Sequence, residues 1–152
     1  MHLFTDGSAE PQSKIGYGAY LLLKNLTKAV EMPIQTRRFE GTTSSRLELE
    51  VLLWALTMMT DSEIIVYTDS QTIVGLEARR ERLEKANFCN KKGEPLHQAD
   101  LYRAFYRQID QMNCIFVKVK GHSKSSQKTA VERIFTLVDK ASRDALRNDL
   151  KS

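Results

Sequence analysis

The chain has 152 residues, is 41% hydrophobic and 28% charged, and carries 23 Lys and Arg against 19 Asp and Glu, a formal net charge of +4. This is the composition of one globular domain with its own core, and it excludes a disordered, fibrous or membrane-spanning chain. The mild positive balance suits an anionic partner without requiring one.

In chain order, Leu3 to Thr5 is a short apolar run closed by Asp6-Gly7-Ser8, which reads as a strand and a turn. The first residues lead straight into this strand, with no secretory pattern before it. A polar loop, Glu10 to Lys14, precedes a second strand over Gly16 to Lys24. Lys28 to Phe39 alternates loosely around Pro33 and reads as an edge strand. Thr42-Thr43-Ser44-Ser45 supplies N-cap hydroxyls for a helix over Arg46 to Met59. Glu63 to Thr68 is a nearly continuous apolar run, as expected of a central strand covered on both faces. Asp69-Ser70 opens a helix from Gln71 to Lys85, followed by a basic loop over Asn87 to Pro95 and a helix over Leu96 to Met112. Cys114 to Lys120 is a fifth strand, and Gly121 to Lys128 a Gly, Ser and Lys loop. Thr129-Ala130-Val131-Glu132 has the spacing of a capping box and starts a last helix that runs to Asn148. The order β-β-β-α-β-α-α-β-α predicts a mixed α/β fold, a five-stranded sheet covered by helices, in a single domain over 1–152. Cys89 and Cys114 make no disulfide framework, so the expected compartment is reducing and cytoplasmic.

Four carboxylates stand out. Asp6 and Asp69 each follow an apolar run, and ligands in open α/β sheets bind beyond the carboxyl ends of strands. If their strands are parallel neighbours, the two acids meet; the plainer reading makes each a turn former or helix N-cap. Glu48 lies roughly 160–200° around its helix from the polar stripe of Arg46, Glu50 and Thr57, on the apolar face with Leu52, Leu56 and Met59. A carboxylate there needs a cation or donors, or else it is the acid of a capping box Ser45-x-x-Glu48. Asp139 sits at the edge of the apolar stripe Val131, Ile134, Phe135, Val138, and could equally pair with Arg143 one turn on. Four converging acids would repel one another by roughly 1–4 kcal/mol per close pair, so such a cluster calls for a hard cation. Oxygen ligands select Mg²⁺ or Mn²⁺, no Cys/His set has zinc spacing, and two such ions support attack of water on a phosphodiester.

These residues resemble type 1 ribonuclease H over nearly the whole chain. Thr5-Asp6-Gly7-Ser8, Gly16-Tyr17-Gly18-Ala19, Thr42-Thr43-Ser44-Ser45-Arg46-Leu47-Glu48-Leu49, Tyr67-Thr68-Asp69-Ser70-Gln71, Val119-Lys120-Gly121-His122-Ser123 and Val138-Asp139-Lys140-Ala141 resemble that family's motifs in the family's order. The resemblance implies strand order 3-2-1-4-5 with helices on both faces. It implies hydrolysis of the RNA strand of an RNA/DNA hybrid by a monomer with no membrane attachment, leaving 5′-phosphate and 3′-hydroxyl ends. Asp6, Glu48, Asp69 and Asp139 would hold two Mg²⁺, with Mn²⁺ as substitute, and His122 would assist proton transfer and product departure. Gln12, Ser44, Ser45 and Gln71 would meet the minor groove, where the 2′-hydroxyls mark RNA, and Thr43 a DNA phosphate. Arg79, Arg80, Arg82, Lys85, Lys91 and Lys92 would form a reduced version of the family's basic protrusion; the bland reading is a solvated helix with ordinary ion pairs. His2 and His97 read as surface residues.

The chain departs from the family in Glu10-Pro11-Gln12-Ser13-Lys14, which replaces a Gly-Asn-Pro-Gly type turn and brings Glu10 towards phosphates. It departs also in a shorter helix after Asp69, in a longer segment between His122 and Asp139, and in Ser44 and Ser45 standing for amides. Two other readings compete: a divergent nuclease of the same fold with another nucleic-acid substrate, and a non-catalytic hybrid-binding module.

Overall fold

The computed structural model describes residues 1–27, 32–61, 63–120 and 129–152. Its elements follow the predicted order: β1 (His2–Glu10), β2 (Ile15–Leu23), β3 (Gln35–Phe39), α1 (Ser44–Thr57), β4 (Glu63–Thr68), α2 (Gln71–Lys85), α3 (Ala99–Ile109), β5 (Asn113–Lys118) and α4 (Ala130–Leu150). The five strands form one sheet in the order β3-β2-β1-β4-β5. β1, β2 and β3 are antiparallel neighbours, whereas β4 runs parallel to both β1 and β5. Both the mixed sheet and its order match the expectation from sequence.

Three boundaries differ for physical reasons. Asp6-Gly7-Ser8 is not a turn: β1 runs on to Glu10, paired with β2 from His2↔Leu23 to Glu10↔Ile15. The reversal comes at 11–14, where Lys14 takes a left-handed φ of 56° and the Glu10 carboxylate accepts the Gln12 and Ser13 amides at 3.1 and 2.6 Å. β3 is shorter than predicted, beginning two residues after Pro33, which has no N–H to give a ladder. α3 starts at Ala99 instead of Leu96, because Leu96 first donates its amide to Phe88 O at 2.8 Å and closes the basic loop.

Each face of the sheet carries its own core. Leu3, Val66, Leu52, Leu56, Leu76 and Phe105 pack together under α1, α2 and α3. Phe4, Leu21, Tyr67, Ile134, Phe135 and Val138 pack together under α4. The alternation Leu3/Phe4 and Val66/Tyr67 is the period-2 geometry of a strand buried on both sides. α1 lies close over β1 and β2: a Cβ on Gly18 would stand 2.3 Å from Val51 Cγ2. The last helix begins with the predicted capping box, Thr129 accepting from Glu132 N and Glu132 reaching back. Among the described residues, no helix is long and apolar enough to cross a membrane.

The glycines give a paired test. Gly18→Ala forces α1 off the sheet and lowers stability by about 1–3 kcal/mol. Gly75, inside α2 with open space about it, gains about 0.5–1 kcal/mol as Ala. Urea denaturation of both variants should show these opposite signs.

Candidate active site

β1 is the strand that both layers share, and its alternation decides where its polar residues go. A Cβ on Gly7 would meet Leu47 of α1 at 2.9 Å, so the odd positions face α1. Phe4 lies in the core under α4, and Ser8 Oγ is 3.0 Å from Ser142 Oγ of α4. Asp6, between them in the same row, therefore faces α4, where Asp139 stands one residue beyond buried Val138. The parallel ladder of β1 and β4 ends at Phe4↔Tyr67. Two steps further along that register stand Asp6 and Asp69, so the end of β4 places Asp69 beside Asp6.

The charges interact accordingly. The Asp6 carboxyl is pushed up to about 8 by burial first, then by the Asp69 charge and by a hydrogen bond and charge from Asp139, against a smaller opposing contribution from the Gly7 N–H. Because an ionised carboxylate cannot donate, this hydrogen bond favours the protonated form of Asp6. Glu48 is also raised, by burial and the Asp69 charge, although Ser70 Oγ donates to its Oε2 at 2.7 Å. Asp139 in addition pairs with Arg143 at 3.1 Å. Asp6 thus lies in hydrogen-bonding reach of Asp139, and the Asp69 charge is felt by both Asp6 and Glu48. Among the described residues, no three His, Cys, Asp or Glu are already gathered tightly enough to hold a metal ion.

The plainer readings of these acids fare unevenly. Asp6 lies within a strand and forms no turn. The N-cap of α1 is Thr43, whose side chain accepts from Arg46 N, so Ser45 and Glu48 make no capping box. The Asp139–Arg143 pair does form, alongside the contact with Asp6. Asp69 precedes the N-cap of α2, which is Ser70, accepting from Ile73 N at 3.2 Å.

The residues expected to meet nucleic acid fall into groups. Thr43, Ser44, Ser45 and Gln71 cluster at the N-termini of α1 and α2 and are exposed. Ser45 Oγ accepts from Gln98 at 3.0 Å, and Gln71 Oε1 accepts from Lys118 Nζ at 2.8 Å. Gln12 stands at the exposed tip of the β1–β2 hairpin. Glu10 is turned onto that hairpin's own amides, which hold its carboxyl below the ordinary range. Arg82, Lys91 and Lys92 are exposed, and Lys85 pairs with Glu81 at 3.0 Å. Arg79 lies over the Tyr102 ring. Arg80 is committed to fold contacts: both guanidinium nitrogens reach Asp110 at 2.6 and 2.8 Å, Nε reaches Glu84, and the group covers the Tyr106 ring. His122 lies outside the described residues.

Sequence reasoning missed several polar supports. Ser70 is only 3% exposed, and its hydroxyl joins the Glu48 helix to the Asp69 turn. Ser142, fully buried, links α4 to β1. Ser70 is readable as a helix cap but not as a partner of Glu48, and Ser142 belongs to no spacing motif. His2 is not a plain surface residue: its Nδ1 is 2.8 Å from Tyr67 Oη, and burial and the N-terminal charge lower its pKa.

With this geometry in view, comparison with known proteins is informative. Residues 1–144 match the model of the family described as RNase H. The chain is 31% identical over 138 residues to a protein named ribonuclease H from Rickettsia massiliae, covering 87% of this chain and 86% of that one. It is 30% identical, with the same coverage, to a ribonuclease HI from Rickettsia conorii. In fold it resembles a chain from the structure of a foamy viral protease-reverse transcriptase in complex with dsDNA, with TM-score 0.63 and 13% identity, over 92% of this chain and 94% of that one.

The raised Asp6 carboxyl sets a pH signature. The folded state holds a proton that the unfolded state gives up near 3.8. That stabilisation is complete below about pH 4 and is lost as pH rises through about 8. Glu48 adds in the same direction. Asp100, Asp110 and Asp149 are lowered by arginine partners, so their effect falls in the acid range and not in this window. Thermal melts in EDTA should show the midpoint falling from pH 5 to 8, and Asp6→Asn should flatten that slope.

Proposed function

The chain belongs to the ribonuclease H family, and on that premise we propose that it is an endoribonuclease cutting the RNA strand of RNA/DNA hybrids with two divalent ions. The observation that carries the reading is the strained carboxylate set: Asp6, held against Asp139 and Asp69, keeps a proton far above the ordinary carboxylate range. A site built of oxygen donors that repel one another in the absence of a cation fits a hard divalent ion, Mg²⁺ or Mn²⁺, better than zinc, which favours nitrogen and sulfur ligands. Asp6, Glu48, Asp69 and Asp139 would hold it. When bound, the ions supply an activated water and relief of charge on the phosphodiester and the departing 3′-oxygen, giving 5′-phosphate and 3′-hydroxyl ends.

The chain's own residues prepare the rest. Ser70 donates to Glu48 Oε2, fixing one oxygen and leaving the other to turn towards Asp69. Asp6 would have to give up its proton to serve as a ligand, so binding would tighten as pH rises through about 8. The N-termini of α1 and α2 bring Thr43, Ser44, Ser45 and Gln71 to the same edge of the sheet as the acids, in reach of a minor groove and its 2′-hydroxyls. Thr43 accepts the Arg46 amide of its helix and lies 3.4 Å from Ser45 Oγ, and its exposed hydroxyl would turn to a phosphate. Arg82, Lys91 and Lys92 supply charge for the second strand, whereas Arg80 holds α2 to the end of α3. His122 is proposed, from its motif alone, to aid proton transfer and product departure. Monomeric action in the cytoplasm is part of the same proposal.

Matched RNA/DNA hybrid, double-stranded RNA, double-stranded DNA and single strands are incubated with protein and Mg²⁺, beside Asp69→Asn. Only hybrid RNA should be cut, and the variant should bind hybrid without cutting it. No cleavage in Mg²⁺ or Mn²⁺ would sink the proposal; hybrid binding without cleavage by the parent would leave a binding module, and cleavage of another substrate a divergent nuclease. The basic residues separate in a salt titration of hybrid binding: Lys91→Ala should reduce the log–log slope by about 1, while Arg80→Ala should lower the melting temperature and leave the slope unchanged.

A further inference from the structure

Ser142, itself fully buried, lies on α4 three residues after Asp139. A hydroxyl in such a place is costly unless hydrogen-bonded. Ser142 Oγ donates to the Asp139 carbonyl at 2.9 Å, which uses its one hydrogen. The 3.0 Å contact with Ser8 Oγ therefore has a single polarity: Ser8 donates and Ser142 accepts. The result is a directed chain from Ser8 through Ser142 to the backbone of Asp139. Ser8 is two residues after Asp6 on the same face of β1, so the chain joins the carriers of the two carboxylates that share a hydrogen bond.

From this geometry we propose that Ser8 and Ser142 are positioning residues that set the separation of Asp6 and Asp139 and thereby the affinity of the site for divalent ions. The core under α4 fixes which face of the helix meets the sheet, but apolar packing is non-directional and does not by itself set the last fraction of an ångström between two polar groups. The Asp6–Asp139 repulsion in the ionised site acts on that margin. A hydrogen-bond chain with one permitted polarity and two distances resists it where packing does not. The device works on the ligand residues through their backbones and touches neither ion nor substrate. The inference rests on the proposed metal-binding role of Asp6 and Asp139.

The test is calorimetric titration with Mg²⁺ and with Mn²⁺ of the parent, Ser142→Ala, Ser8→Ala, the double variant, Ser8→Thr and Asp6→Asn, with melting in EDTA alongside. Removing a partner that orients a ligand typically weakens metal affinity at least about tenfold. Ser142→Ala and Ser8→Ala should each do so, the double variant should be no worse than either alone, and Ser8→Thr, which keeps the hydroxyl, should match the parent. Melting in EDTA should drop only about 2–4 °C for Ser8→Ala, which removes one hydrogen bond, and somewhat more for Ser142→Ala, which removes two. Unchanged ion affinity in the alanine variants with a lower melting point would overturn the proposal and leave a fold contact only. Additive losses in the double variant would overturn it too, since they would mean the hydroxyls act separately. Asp6→Asn distinguishes the levels: if that variant binds ions like the parent, the metal-site reading fails; if it loses them while the alanine variants do not, only this inference fails.

Discussion

Everything at the candidate site depends on one enforced proximity, two carboxylates from different layers held within hydrogen-bonding distance. Asp6 sits on a strand buried between both helical layers, and strand periodicity points it at α4. Asp139 follows Val138, whose full burial fixes that turn of α4 against the sheet. Burial first, and then the neighbouring Asp69 and Asp139 charges, disfavour the ionised form, so Asp6 stays neutral until about pH 8. The same constraint makes the pair receptive to a divalent ion, which does at higher pH what the proton does at lower pH.

The surrounding structure keeps the arrangement from relaxing. α4 is tied down at its far end where Asp149 accepts from Tyr17 Oη at 2.9 Å and Arg38 Nε at 2.6 Å, contacts that reach β2 and β3. α1 is pressed onto the hairpin through Gly7 and Gly18, and its first turn is clamped by Arg46, whose two terminal nitrogens reach Asp100 of α3 at 3.2 and 2.7 Å. Exposed pairs of this kind contribute little stability individually. Their value lies in geometry, because they fix the angle at which Glu48 and the hydroxyls of the α1 N-terminus arrive at the sheet edge.

Much of this was legible in the sequence, for identifiable reasons. β4 and α2 have the predicted bounds because a fully buried strand reads as an unbroken apolar run and Ser70 is a strong cap. Glu48 and Asp139 were visible because a carboxylate on or beside an apolar stripe contradicts its surroundings. Asp6-Gly7-Ser8 misled, since turn-forming residues in a strand look like a turn until a partner strand is known to continue beside them; here Gly18 and Tyr17 of β2 do so. Arg80 could not be separated from Arg79 and Arg82 by composition: its ion pair with Asp110 joins residues thirty positions apart. Ser8 and Ser142 were unreadable for the same reason, being 134 positions apart and meaningful only as a pair.

The central claim is that the fold buries Asp6 beside the Asp69 and Asp139 carboxylates, and that this enforced burial among like charges is what prepares the site for a cation. The most direct measurement is the carboxyl titration of Asp6 by ¹³C NMR, in EDTA and again with saturating Mg²⁺. The account predicts a midpoint near 8 without metal and a carboxylate ionised throughout the neutral range with it. An ordinary midpoint near 3.8 in the metal-free protein, unmoved by Mg²⁺, would contradict it.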